Sequence, residues 1–231
     1  MNSDFVRTAR VARFAPLAFA ALMAVQAACG SDGGTDPSKP SAMVAVSPDS
    51  QSTAAGVKMP QPLVVRVTGG GNTPIAGTVV SWSISAGGGT LSDSTSTTNA
   101  DGEAQTTYTP GSQPVIAGVN ANVGSLRKTF RIVLVAGPPS QLLKFGFDSP
   151  AAVKGSVLTF SVKLADAFGN GVSGKPVTWA AAGGSISATT SSTNDGGVAS
   201  ITYTLGADPG TYSLTASADG VPSVKFDIKA I

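Results

Sequence analysis

The sequence predicts an all-β protein: two tandem antiparallel β-sandwiches behind an N-terminal export segment. Three observations carry this prediction. A thirteen-residue stretch recurs: TTNADGEAQTTYT (Thr97–Thr109) and STNDGGVASITYT (Ser192–Thr204) align without a gap, share seven residues and stand 95 positions apart. Apolar residues alternate with polar ones over six to eight positions in several places, the period of a strand with one buried and one wet face. The composition is poor in helix formers: charged residues are 12% of the 231 and glutamate occurs once, at Glu103, while Gly, Thr and Ser abound.

The first 28 residues read as an address. Arg7, Arg10 and Arg13 precede FAPLAFAALMAVQAA (Phe14–Ala28), which carries no charge and ends in small residues. A basic start, a short apolar core and a small-residue exit describe a secretory signal peptide. The apolar run falls short of the ~20 residues a membrane-spanning helix needs, although an uncleaved anchor is the competing reading.

Cys29 follows at once. As the sole cysteine it has no partner for an internal disulfide. With Ala27 and Ala28 before it and GSDGGTDPSKPS after it, the site resembles the lipobox of bacterial lipoproteins, which implies that Cys29 is lipidated and becomes the mature N-terminus. Gln26 stands where that pattern usually has an aliphatic residue, and ordinary cleavage after Ala27 is the alternative. Residues 29–41 then form a flexible polar tether. Gly30, rather than aspartate, follows the cysteine, and by analogy with enteric lipoproteins this favours the outer membrane or cell surface.

The repeat extends well beyond the thirteen residues. AGTVVSW (Ala76–Trp82) matches SGKPVTW (Ser173–Trp179), PLVVRV (Pro62–Val67) matches TFSVKL (Thr159–Leu164), and VNANV (Val119–Val123) falls on LTASA (Leu214–Ala218). A unit of this length suits a small domain with its own core rather than a solenoid turn. The copies span residues 42–136 and 142–231, joined by a Pro-rich linker at 137–141 whose Pro138-Pro139 pair favours a stiff connection and an end-to-end arrangement.

Within the copies, Leu158, Phe160, Val162 and Leu164 alternate with polar neighbours, as do Tyr212, Leu214 and Ala216. Seven or so such strands, punctuated by Gly, Pro, Asn and Asp every eight to twelve residues, indicate a sandwich. Asn99-Ala100-Asp101-Gly102 and Asn194-Asp195-Gly196-Gly197 are turn chemistry, since Asn bonds back to its own backbone and Gly adopts positive φ. Trp82 and Trp179 are expected at the centres of the two cores, with Tyr108 and Tyr203 pointing inward and needing hydroxyl partners.

DAFGNGVSGKPVTW (Asp166–Trp179), TNDGGVASITYT and GTYSLTASADG (Gly210–Gly220) together resemble the group 1 bacterial immunoglobulin-like (Ig-like) domain, the module of invasin and intimin. The resemblance covers both copies, about 190 residues, and implies an Ig-like sandwich with a surface or adhesion role. The first copy departs from the pattern, with Gly69 opposite Asp166 and Ala117 opposite Tyr212.

Little in the chain suggests chemistry. There is no histidine, so imidazole bases and ligands are excluded. Asp101 and Asp195 lie in turns with few acidic neighbours, and a plain turn competes there with a calcium site. GGGT (Gly87–Thr90) lacks the lysine of a phosphate loop. Beyond residue 28 twelve basic and twelve acidic residues balance, which leaves no nucleic-acid footprint.

The expected function is therefore a non-catalytic, cofactor-free lipoprotein of the cell envelope, held to the membrane through Cys29 and acting in surface display or adhesion. One alternative is a glycan- or protein-binding module using end loops, with Phe168 and Asn170 in the loop Ala167–Gly171 as candidate contacts. Phe168 packing on the neighbouring domain is the competing reading of that residue. A periplasm-facing scaffold and an unrecognised hydrolase are the remaining alternatives.

Overall fold

A computed structural model describes residues 36–146, 148 and 151–231. The export segment and Cys29 lie outside the described residues. The first copy runs β1 (Ala42–Ala45), β2 (Ser50–Ala54), β3 (Leu63–Thr68), a 3-10 turn (Gly70–Asn72), β4 (Val79–Ala86), β5 (Thr90–Leu91), β6 (Thr95–Thr97), β7 (Glu103–Thr106), β8 (Tyr108–Thr109), β9 (Ile116–Val123) and β10 (Leu126–Val135). The second runs β11 (Gln141–Phe145), β12 (Ala151–Ala152), β13 (Val157–Ala165), β14 (Pro176–Ala182), β15 (Ser185–Ile186), β16 (Thr190–Ser192), β17 (Val198–Thr204), β18 (Gly210–Ser217) and β19 (Val224–Ala230).

The two copies share one topology. In the first, a sheet ordered β1-β3-β7 faces a sheet ordered β2-β10-β9-β4-β6, and β5 pairs with β8. In the second, β11-β13-β17-β15 faces β12-β19-β18-β14-β16. Pairing is antiparallel except where β2 runs parallel to β10 and β12 parallel to β19. This is the all-β architecture of two tandem antiparallel sandwiches that the alternation predicts, and the Ig-like fold that the family resemblance implies.

Alternation places the cores. Leu63, Val65 and Val67 point from β3 toward Val80 and Trp82 of β4 and Phe130 and Ile132 of β10. In the second copy Phe160, Val162 and Leu164 meet Val177, Trp179, Leu214 and Phe226. The Phe160 and Phe226 rings lie 4.9 Å apart between centroids. Trp82, Trp179, Tyr108 and Tyr203 are all buried. Each indole N–H donates to a serine hydroxyl, Trp82 to Ser96 at 2.8 Å and Trp179 to Ser191 at 2.9 Å. The Tyr108 hydroxyl donates to the Gly88 carbonyl and that of Tyr203 to Gly183. Burial raises both phenols above their ordinary pKa, Tyr203 also through the nearby Tyr212, so each hydroxyl keeps the proton it donates.

The repeated Thr-Asn-x-x-Gly motif is a strut and a turn. Thr98 donates its hydroxyl to the Ile75 carbonyl at 2.7 Å, and Thr193 donates to Val172 at the same distance. Asn99 Oδ1 accepts the N–H groups of Asp101 and Glu103, while Asn194 Oδ1 accepts those of Gly196 and Val198. The closing glycines have left-handed backbone, φ +74 at Gly102 and +76 at Gly197. A β-carbon there would sit 2.6 Å from the Val67 carbonyl oxygen or 2.4 Å from that of Leu164. Only glycine fits either place.

Candidate functional site

The polar centre of the chain lies where the second copy receives the linker. The loop after β13 begins at Asp166, which is 1% exposed. One carboxylate oxygen, Oδ1, accepts the N–H of Phe168 at 2.8 Å and of Asn170 at 2.9 Å, closing the loop on itself. The other, Oδ2, accepts the linker N–H of Gly137 at 2.8 Å and the Asn170 side-chain amide at 2.9 Å. Lys163 donates its ammonium to the Gly169 carbonyl at 2.9 Å.

Asn170 carries the connection onward. Its Nδ2 donates to the Ser112 carbonyl of the first copy at 2.7 Å as well as to Asp166. Asn170 is 9% exposed. Phe168 is 53% exposed, but the edge of its ring lies against Gly56 of the first copy: a β-carbon at Gly56 would stand 2.4 Å from Cε2 and Cζ. Gly56 also has φ +73, a backbone conformation that favours glycine, and a side chain there would have to displace the Phe168 ring.

Opposing effects act on the Asp166 carboxyl. Burial pushes its pKa up. The Asn170 amide and the backbone N–H groups of Gly137, Asn170 and Phe168 pull it down and prevail, holding it below the ordinary value. The site is thus a buried anion fully satisfied by donors from the linker and its own loop. Beside it lie an open groove of about 660 Å³ bordered by Pro114, Leu134, Pro139, Val172, Lys175 and Asp195, and a smaller, apolar one under Phe168 with Ala55, Val57 and Pro138.

The structure therefore brings the candidate binding residues Phe168 and Asn170 into the joint between the copies. Asn170 spends its side-chain amide on two internal acceptors, and Phe168 leans on the neighbouring sandwich. The core candidates Trp82, Trp179, Tyr108 and Tyr203 sit in two separate interiors, and Cys29 lies outside the described residues. The partners at the joint, Gly56, Ser112 and Gly137, escape sequence reasoning because they act through backbone atoms or by having no side chain. Among the described residues no three His, Cys, Asp or Glu side chains group into a metal site, and no helix is long and apolar enough to cross a membrane.

Comparison with solved structures, through the adhesin FdeC, agrees with the fold. The D0-D1 domain of intimin aligns at 21% identity over 81% of this chain and 98% of its own, with TM-score 0.31. The Escherichia coli adhesin FdeC aligns at 20% identity over 84% of this chain and 65% of its own, with TM-score 0.53. The Yersinia pseudotuberculosis adhesin InvE aligns at 17% identity over 87% and 61%, with TM-score 0.40. No curated protein matches the sequence. The family model of the bacterial Ig-like domain (group 1) matches residues 43–132 and again 147–230. With one match on each sandwich, together spanning most of its length, the chain belongs to the bacterial Ig-like domain family, group 1.

Proposed function

We propose that the protein is a non-catalytic lipoprotein of the bacterial cell envelope. Its two Ig-like sandwiches act as an adhesion-type display module, anchored by a lipid on Cys29 at the outer membrane or cell surface. The observation that carries this reading is the joint. Asp166 and Asn170, the most strongly hydrogen-bonded polar side chains of the loop, are spent on holding linker and sandwiches together. A chain whose buried polar groups serve connection suits display rather than turnover. The absence of histidine from the whole sequence and the fold shared with the adhesin FdeC support the same reading, as does the arginine-then-apolar start leading to Cys29. The partner is a protein or glycan outside the membrane.

Metabolic labelling with a palmitate analogue, followed by fractionation, tests the anchor. Wild type is expected to label and to sediment with membranes, while Cys29→Ser neither labels nor sediments yet keeps its β-sheet circular dichroism. A Cys29→Ser protein that still sediments would remove the lipid from the account.

A further inference from the structure

The outer face of the larger sheet in the first copy carries charge that the chain leaves uncompensated. Arg127, Thr129 and Arg131 alternate on β10 with Lys128, Phe130 and Ile132, the last two of which lie in the core. The three therefore share the outer face of the sheet ordered β2-β10-β9-β4-β6. Among the described residues neither Arg127 nor Arg131 has a carboxylate or carbonyl partner for its guanidinium. Asp49, whose carbonyl accepts the Arg131 N–H, spends its carboxylate on Lys128 at 2.8 Å.

Across β9 and β4 the face continues in amides and hydroxyls. Asn122 stands opposite Arg127 and Ser81, and Asn120 opposite Thr129 and Ser83. Asn120 lies between the core residues Val119 and Ala121, so it belongs to the outer face, yet it is only 3% exposed. Its Oδ1 accepts the Thr129 hydroxyl at 2.8 Å. Its Nδ2 has no acceptor among the described residues and keeps contact with solvent. The floor between two unpaired cations thus holds a fixed donor with its bond unmade, and such a group calls for a partner. The two arginines are four residues apart, roughly 13 Å along the strand at about 3.3 Å per residue.

The second copy shows that the fold does not require this arrangement. Ser213 pairs with Asp227 as Gly118 pairs with Arg131, and Thr215 with Lys225 as Asn120 with Thr129. Ala180 takes the place of Ser83. There Lys225 and Asp227 join in a salt bridge at 2.8 Å. One sandwich neutralises this face from within, and the other leaves it cationic.

We infer that the outer face of β10, β9 and β4 in the first sandwich binds an acidic polysaccharide of the uronic-acid class, laid along β10. Arg127 and Arg131 each take a carboxylate through the planar fork of the guanidinium. Asn120 Nδ2 and the hydroxyls of Ser81 and Ser83 meet the hydroxyls of the sugar rings. Two free cations are too few for an anionic membrane surface, which draws clusters of about four to eight. The residues between the arginines offer no aromatic or aliphatic anchor of the kind that holds a protein partner. The inference rests on the proposed partner outside the membrane and names its chemistry.

Calorimetric titration of the purified full chain with oligogalacturonate is the test, with dextran and poly-glutamate as further titrants and co-sedimentation with phosphatidylglycerol vesicles alongside. Wild type is expected to bind oligogalacturonate and neither of the other two titrants. Arg127→Gln with Arg131→Gln changes only exposed, unpaired side chains, so it should keep the urea midpoint and weaken binding at least about tenfold. Asn120→Thr, which installs what the second sandwich has at this register, should weaken it too. Lys225→Gln on the other sandwich should leave it unchanged, and vesicle binding should be the same with and without the two arginines. A wild type that does not bind oligogalacturonate, or either first-sandwich variant binding as wild type does, overturns the proposal. Poly-glutamate bound as tightly as oligogalacturonate, or vesicle binding that falls in the arginine variant, would give the face to a protein or a membrane and overturn it as well. The titration needs no membrane, so its failure leaves the anchor at Cys29 to be decided by labelling.

Discussion

At the residue scale, Asp166 is the side chain on which most depends. Replacing it with alanine leaves the N–H groups of Gly137, Phe168 and Asn170 without their acceptor. Orphaned buried donors cost about 1–3 kcal/mol each when no water replaces the partner, so Asp166→Ala should lower stability by about 2–3 kcal/mol in urea unfolding, with water relieving part of the loss. The pH dependence has a definite sign. A carboxyl whose folded pKa is depressed contributes stability above its unfolded value and loses it as pH falls through the folded one. The gap between wild type and Asp166→Asn should therefore be full at pH 7 and shrink below the ordinary aspartate value of 3.8; a gap that is constant with pH would refute the anionic role. Trp179 is a simpler case: truncation to alanine removes a buried indole and its bond to Ser191, at about 3–5 kcal/mol. Equilibrium unfolding followed by fluorescence would show the loss.

At the element scale, legibility followed side-chain pattern. The strand holding Phe160, Val162 and Leu164 was readable because each inward residue is apolar while Thr159, Ser161 and Lys163 between them are not. The strand β2, Ser50–Ala54, reads SQSTA and offers no such contrast, so its parallel pairing with β10 could not be foreseen. Its counterpart β12 has only two residues, below any periodicity. The turns were readable through Asn99 and Asn194, but the strut beneath them was not, since Thr98 and Thr193 bond to carbonyls more than twenty residues away. The turn geometry makes a graded prediction. Gly197→Ala meets both positive φ and the Leu164 carbonyl and should cost more than Gly174→Ala, where φ is +69 but the space is open. The first should exceed the usual ~1 kcal/mol backbone penalty, and the second should stay near it. Thermal melts of the two variants would rank them.

At the scale of the whole molecule, the two sandwiches share one topology, but only the second carries the Asp-x-x-Gly-Asn loop. The contact from Asn170 to Ser112 spans 58 residues and ends on a backbone carbonyl, so no residue pattern announces it. The Asp-x-x-Gly-Asn loop reads in sequence as a turn with an exposed aromatic residue, and in space it is a joint. Phe168→Ala should consequently leave the fold of each sandwich unchanged and loosen their coupling, separating two calorimetric transitions that lie closer together in wild type. Unchanged separation would place Phe168 outside the joint's energetics.

Where the chain works is tested most directly by protease shaving of intact cells, with membrane fractions of wild type and Cys29→Ser blotted alongside. A surface-displayed lipoprotein predicts that the wild type is membrane-bound and removed by protease, while the variant is lost from the membrane. A wild type that is membrane-bound but protected on intact cells and cleaved only after lysis would contradict surface display and leave a module facing the periplasm.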